Sequence, residues 1–313
     1  MFTNPHVLTI AMSVLFLNST LFAQVNPPDA ELEGPLLTVD PATGELSVMG
    51  IKVVINGNTK IESPSAVLTL DQLKDTTRLP GRTEEGFKGG TATVTGTVDP
   101  MTGVVTAATL HVEPAENVVL GVITENVAGK VKVNGLQVEY LSDARMPLKA
   151  IQNEFGFAVK PASILVGTPG SVEGYYDGTL FRAFLLEIDG VADLVDPNPQ
   201  VSILRAQSRD REEGKRDEVK ARGAVTMKHA AANVTTQTVA LYRVDNGVDA
   251  FLDVVEAERA EDNPEFAIWT YSGKTPPSSH PIYSHAPGTI KAVNLSEGAG
   301  LAFRIEQAEV RVD

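Results

Sequence analysis

Cysteine is absent from the 313-residue chain, which excludes disulfides, thiolate metal sites and a lipid-modified cysteine behind a leader. Stability has to come from ordinary apolar cores. Positive charge is scarce: 26 Lys and Arg against 40 Asp and Glu leave a net charge of −14. That excess of carboxylates repels phosphate backbones and anionic headgroups, so nucleic acid and lipid surfaces are not the expected partners. Beyond the N-terminus no apolar run is long enough to cross a membrane, so no integral segment is expected once the leader is removed. No Gly-x-Ser-x-Gly, His-Glu-x-x-His, P-loop or dinucleotide fingerprint occurs in the sequence. Without a nucleophile, base or metal cage, no enzyme and no cofactor is expected.

The N-terminus reads differently. Val7 to Leu17, "VLTIAMSVLFL", is too short for a settled membrane helix and matches the apolar region of a signal peptide. Small Ala23 before Gln24 is the expected cleavage point, although no Lys or Arg precedes Lys52. Residues 1–23 are therefore expected to be a signal peptide and 24–35 a leader without fixed structure. The mature chain is expected to be secreted or periplasmic.

From Leu36 onward, short stretches rich in Val, Ile and Thr alternate with polar residues between glycines, which predicts strand after strand. Helical periodicity is nearly missing, with "LTLDQLK" the one short helix expected. "VDPATG" at Val39 and "VDPMTG" at Val98 place Asp, Pro and Gly where a type I turn closed by a left-handed glycine needs them. Asp40 and Asp99 thus mark hairpins, not an aspartic-protease pair. A longer repeat appears on sliding the chain along itself. Gly44, Val48, Gly50 and Val53 fall on Gly129, Val133, Gly135 and Val138; later Gly96 falls on Gly174, and Gly103 on Gly178, an offset of 178 − 103 = 75.

The residues of this repeat, Gly44 to Val53 with Val94 to Leu110, and Gly129 to Val138 with Val172 to Leu185, resemble the bacterial secreted domain-of-unknown-function family 5666. The resemblance implies tandem small OB-like barrels and export, and it implies no activity. The expected organisation is an OB-like module over 36–116, a second over 117–190 and a linker over 191–200. About seven short strands in 201–313 predict an immunoglobulin-like β-sandwich, with a third, diverged barrel as the alternative. The whole is expected to be all-β.

Candidate site residues are few. Tyr175 and Tyr176 are adjacent, so a regular strand points one into the core and leaves the other exposed for stacking on a glycan or peptide. Asp189, Asp193 and Asp196 at the domain junction are candidate calcium ligands. His280 and His285 sit five residues apart in a Pro/Ser-rich stretch and are expected to be exposed loop residues. The run "RDREEGKRDEVKAR", Arg209 to Arg222, mixes signs and reads as a solvated segment. The expected function is an exported, non-catalytic binding or structural module for a cell-envelope or extracellular ligand. The alternative is a secreted hydrolase acting on cell-wall or glycan polymer, which would need paired carboxylates in one cleft.

Overall fold

A computed structural model describes residues 27–115, 117–211, 216–275 and 285–312. The segment expected to be a signal peptide, with Ala23 and Gln24, lies outside these residues, as does His280. The first module contains β1 (Asp29–Val39), β2 (Glu45–Val48), β3 (Ile51–Val54), β4 (Lys60–Ser63), β5 (Ala66–Leu68), the helix α1 (Leu70–Lys74), β6 (Thr91–Val98) and β7 (Val105–Glu113). The second contains β8 (Asn117–Val127), β9 (Lys130–Val133), β10 (Leu136–Tyr140), β11 (Ser142–Asp143), β12 (Met146–Pro147), β13 (Ala150–Asn153), β14 (Pro169–Tyr176) and β15 (Phe181–Ile188). The third contains β16 (Arg205–Asp210), β17 (Glu218–Thr226), β18 (Thr236–Asp245), β19 (Val248–Arg259), β20 (Phe266–Lys274), β21 (Thr289–Asn294), β22 (Phe303–Gln307) and β23 (Glu309–Val312). Among the described residues no helix is long and apolar enough to cross a membrane.

Each of the first two modules is a closed five-stranded barrel of OB-like connectivity. The order β3-β2-β1-β6-β7 closes through a parallel β3–β7 pair, and β10-β9-β8-β14-β15 closes through a parallel β10–β15 pair. The same positions fill both interiors. Leu36, Val48, Val53, Val94, Ala107 and Leu110 are matched by Ile123, Val133, Val138, Val172, Ala183 and Leu186, all buried. The repeat in sequence is therefore a repeat in core.

Two details of the repeat differ from expectation. In the last strand the offset is 183 − 107 = 76 residues, because Gly96 pairs with Ala107 and Gly174 with Ala183. Aligning Gly103 with Gly178 slips the strand by one residue, which would turn every core side chain outward. Gly96 and Gly174 each sit at a register shift, and a Cβ at either would run into the carbonyl oxygen of Thr106 or Arg182. Close strand approach at the bulge thus explains these glycines. The second difference is the leader: Asp29 to Pro35 pair with Thr97 to Thr91 one by one, so the first barrel begins at residue 29 and not 36.

The hairpin turns are as expected. The Asp40 carboxylate accepts from the Ala42 amide at 2.8 Å and the Thr43 hydroxyl at 2.9 Å. Asp99 repeats both contacts with Met101 and Thr102, each at 2.8 Å. The expected helix is α1, closed at its start by a reciprocal cap between Thr69 and Gln72.

The two barrels are joined by the long loop of the first. Arg145, 3% exposed, lies between β11 and β12 and donates to the carbonyls of Asp75 and Thr77 at 3.1 and 2.7 Å while pairing with Asp143 at 2.8 Å. Residues 191–200, expected to be a free linker, instead lie against the second barrel. Leu194 is buried in its core and bridges Val159, and the amide of Val195 donates to Ala158 at 2.9 Å. The third module is a sandwich-like fold made from one continuous sheet, β22-β21-β18-β19-β20-β17-β16-β23. Its Phe266 stacks on Phe155 and Phe157 of the second barrel, with centroids 4.5 and 5.4 Å apart.

Candidate binding surfaces

The tyrosine pair divides as alternation demands, with a consequence for Tyr175. That ring is 2% exposed and its hydroxyl donates to the Pro80 carbonyl at 2.7 Å. Burial pushes its pKa up to about 12. Tyr175 is thus a fastener between the barrels, which corrects its reading as a ligand-stacking residue. Tyr176 is 51% exposed, with its hydroxyl donated to Gly178 at 2.8 Å. It remains available at the surface, without neighbouring rings among the described residues.

Asp189, Asp193 and Asp196 are all exposed. The Asp189 amide donates to Pro169, the Asp193 amide donates to the Ser163 hydroxyl, and the Asp196 carboxylate caps Asn198. Each serves a separate stretch of backbone. Among the described residues no group of three or more His, Asp or Glu could hold a metal ion, and the three aspartates are not brought together. His285 lies 3.6 Å from Asp245, and His229 meets Gln237 at 3.1 Å. Burial pushes two carboxyls above their usual range, Glu154 in the second barrel and Asp217 in the sandwich. They belong to different modules and are hydrogen-bonded by the Gly190 and Arg211 amides.

A cleft of about 590 Å³ separates the second barrel from the sandwich, lined by Lys149, Gln152, Phe157, Arg304, Glu306 and their neighbours. Much of its polarity is satisfied internally, since Gln152 binds Glu187 at 3.1 Å and Arg304 binds Glu306 at 3.0 Å. The outer face of the sandwich half formed by β19, β18, β21 and β22 is different. Cross-strand register sets Phe251, Tyr242, Lys291 and Ile305 in one row, and Val254, Ala240, Val293 and Phe303 in the next. Phe251 and Phe303 are 53% and 59% exposed, far more than rings of a packed sheet require. Tyr242 meets Phe251 edge-on at 5.8 Å. The Lys291 ammonium sits 4.9 Å over the Phe303 ring and 2.5 Å from Asp249. An exposed apolar face results, with the Lys291–Asp249 ion pair beside its rings.

Sequence reading missed this face. In "FRIEQ", Phe303 and Ile305 alternate with Arg304 and Glu306, the pattern of a strand with its apolar side in the core. The available signal was an excess: β18 and β19 carry apolar residues on both faces, more than one core can take. Compared with known proteins, the chain matches no family model, no curated protein and no solved structure.

Proposed function

We propose that this chain is an exported, non-catalytic binding module of the cell envelope or extracellular space, and that the outer face around Phe251, Tyr242 and Phe303 holds a glycan chain. One observation carries the reading: two half-exposed phenylalanines share a sheet face with Lys291, whose ammonium lies over one of the rings and pairs with Asp249. Rings stack on the C–H faces of sugars, and the ion pair offers donors and acceptors for their hydroxyls. A protein partner fits less well, because apolar interface cores are depleted in charge and here a lysine ammonium lies over one of the exposed rings. The N-terminal apolar run supports export, and the resemblance of the barrels to family 5666 is in keeping with it.

Sedimentation with insoluble peptidoglycan, chitin and cellulose tests the proposal. Wild-type protein should co-sediment with at least one, and Phe251→Ala with Phe303→Ala should abolish this without shifting the melting temperature. Concentration-dependent dimerisation through the same face, with no glycan retained, would replace the proposal with a self-association surface.

A further inference from the structure

The opposite half of the sandwich carries a second surface of different chemistry. Side chains of β16 and β17 alternate, so Ala206, Ser208, Val219 and Ala221 point inward while Arg205, Gln207, Lys220 and Arg222 point outward. Register places Arg205 directly opposite Arg222, and Gln207 opposite Lys220. Thr270 and Ser272 of β20 continue the two rows. Like charges directly opposed on one sheet face repel each other. Among the described residues, no hydrogen bond or ion pair engages the side chains of Lys220 or Arg222. The nearest acid on the row is Glu309, already bound by Gln207 at 2.7 Å and by Arg311 at 2.9 Å. In a protein of net charge −14, three cations gathered on one sheet face, with Glu309 beside Gln207 and Glu218 two residues from Lys220 as the neighbouring acids, are a local concentration of positive charge without an evident structural gain.

These side chains also line a shallow, open depression. A pocket of about 330 Å³ is lined by Arg205, Gln207, Lys220, Arg222, Thr270 and Ser272, with Ala221 and Tyr271 at its floor. Its lining is mostly apolar, as expected where the aliphatic stems of long cations run along a sheet before their charged heads reach water.

We infer that this pocket is an anion-binding site whose ligand is an acidic polysaccharide, engaged through carboxylate or sulfate groups by Arg205, Lys220 and Arg222. Guanidinium forks suit both groups because two parallel N–H donors meet two oxygens. Lys220 and Arg222 lie two residues apart on one strand, about 6–7 Å, which suits charges repeated along a sugar chain. Nucleic acid suits the face less well. No aromatic ring stands among its outward residues to stack a base, and the protein's overall charge opposes a dense phosphate backbone. The site lies on strands separate from the Phe251 face and stands independently of it.

Affinity for polygalacturonate, dextran sulfate, neutral dextran and a single-stranded oligonucleotide, measured at low salt on the full chain, tests the inference. At least one acidic polysaccharide should bind and neutral dextran should not, with binding weakening as salt rises. Lys220→Gln with Arg222→Gln should weaken binding by about tenfold or more and leave the melting temperature unchanged or raised, since the opposed charges are relieved. Lys52→Gln and Lys60→Gln, surface cations of the first barrel, should bind like wild type. The inference is overturned if neither acidic polysaccharide binds, if the double variant binds as wild type does, or if the oligonucleotide binds more tightly than both.

Discussion

The two barrels share a topology, a core and their bulges, yet their outer faces differ at equivalent positions. In the first barrel the outward residues on the free half of β1 are Glu31, Glu33 and Pro35; in the second, the matching positions of β8 hold Val118, Leu120 and Val122. Leu120 is 72% exposed. Charge and proline guard the first edge against pairing with another strand; the second lacks both and instead engages its backbone with Asn134, which donates to the Leu120 carbonyl at 3.0 Å and accepts from the Val122 amide at 3.1 Å. The barrels also join asymmetrically. The second contributes the side chains Arg145 and Tyr175 to the polar contacts, whereas the first contributes backbone carbonyls of its long loop and the Asp75 carboxylate, 3.7 Å from Arg145. A duplicated interior thus tolerates divergent exteriors, because the core must fill a closed volume and the surface need not.

The joint offers the largest effect with which to break this comparison. Arg145→Ala should lower the unfolding free energy by about 3–5 kcal/mol, since it leaves Asp143 and two carbonyls without their buried partner. Denaturant melts would reveal it, and Lys60→Ala, at a surface cation of the first barrel, should change little. The shared bulges should respond alike: Gly96→Ala and Gly174→Ala each drive a Cβ against a carbonyl, at a cost of about 1–3 kcal/mol. An effect at one position only would show that the barrels do not share this constraint.

Exchanging the edges comes next. Leu120→Glu should leave the melting temperature nearly unchanged and raise solubility, while Glu33→Leu should lower solubility, read as the concentration at which turbidity appears. The smallest effect belongs to the matched turns. Hydrogen bonds from Ala42 and Thr43 hold the Asp40 carboxyl below its usual range, and those from Met101 and Thr102 do the same for Asp99. Because the folded values are depressed, their stabilisation is present above the unfolded carboxylate range near pH 4. It is lost as pH falls through the folded values. Asp40→Asn and Asp99→Asn should therefore each lower the melting temperature slightly at neutral pH, and the difference from wild type should shrink in acid.

Much of the architecture was legible because its signals are local. Asp-Pro-x-Thr-Gly specifies a hairpin through one carboxylate and one left-handed glycine, and both copies form it. Period-two alternation specifies strands, and the recurring Val and Gly positions specify two similar barrels. Asp189, Asp193 and Asp196 misled because nearness in sequence says nothing of convergence in space. Their backbone runs across the second barrel and turns each carboxylate to solvent.

Sequence alone determined that this protein is all-β, that its first two modules repeat, and that one of Tyr175 and Tyr176 is buried. Tertiary structure decided which one, because the loop of the first barrel supplies Pro80 as partner to Tyr175. It also decided that Phe303 and Ile305 face solvent, although their alternation with Arg304 and Glu306 reads as a core-facing strand. The mixed-charge run ending at Arg222 was sorted in the same way: in β17, Lys220 and Arg222 share the outer face with Arg205 only because β16 pairs with β17 in that register. Alternation states that a strand has two faces. Which face is covered depends on what the rest of the chain brings to it, and that is long-range information no short stretch contains.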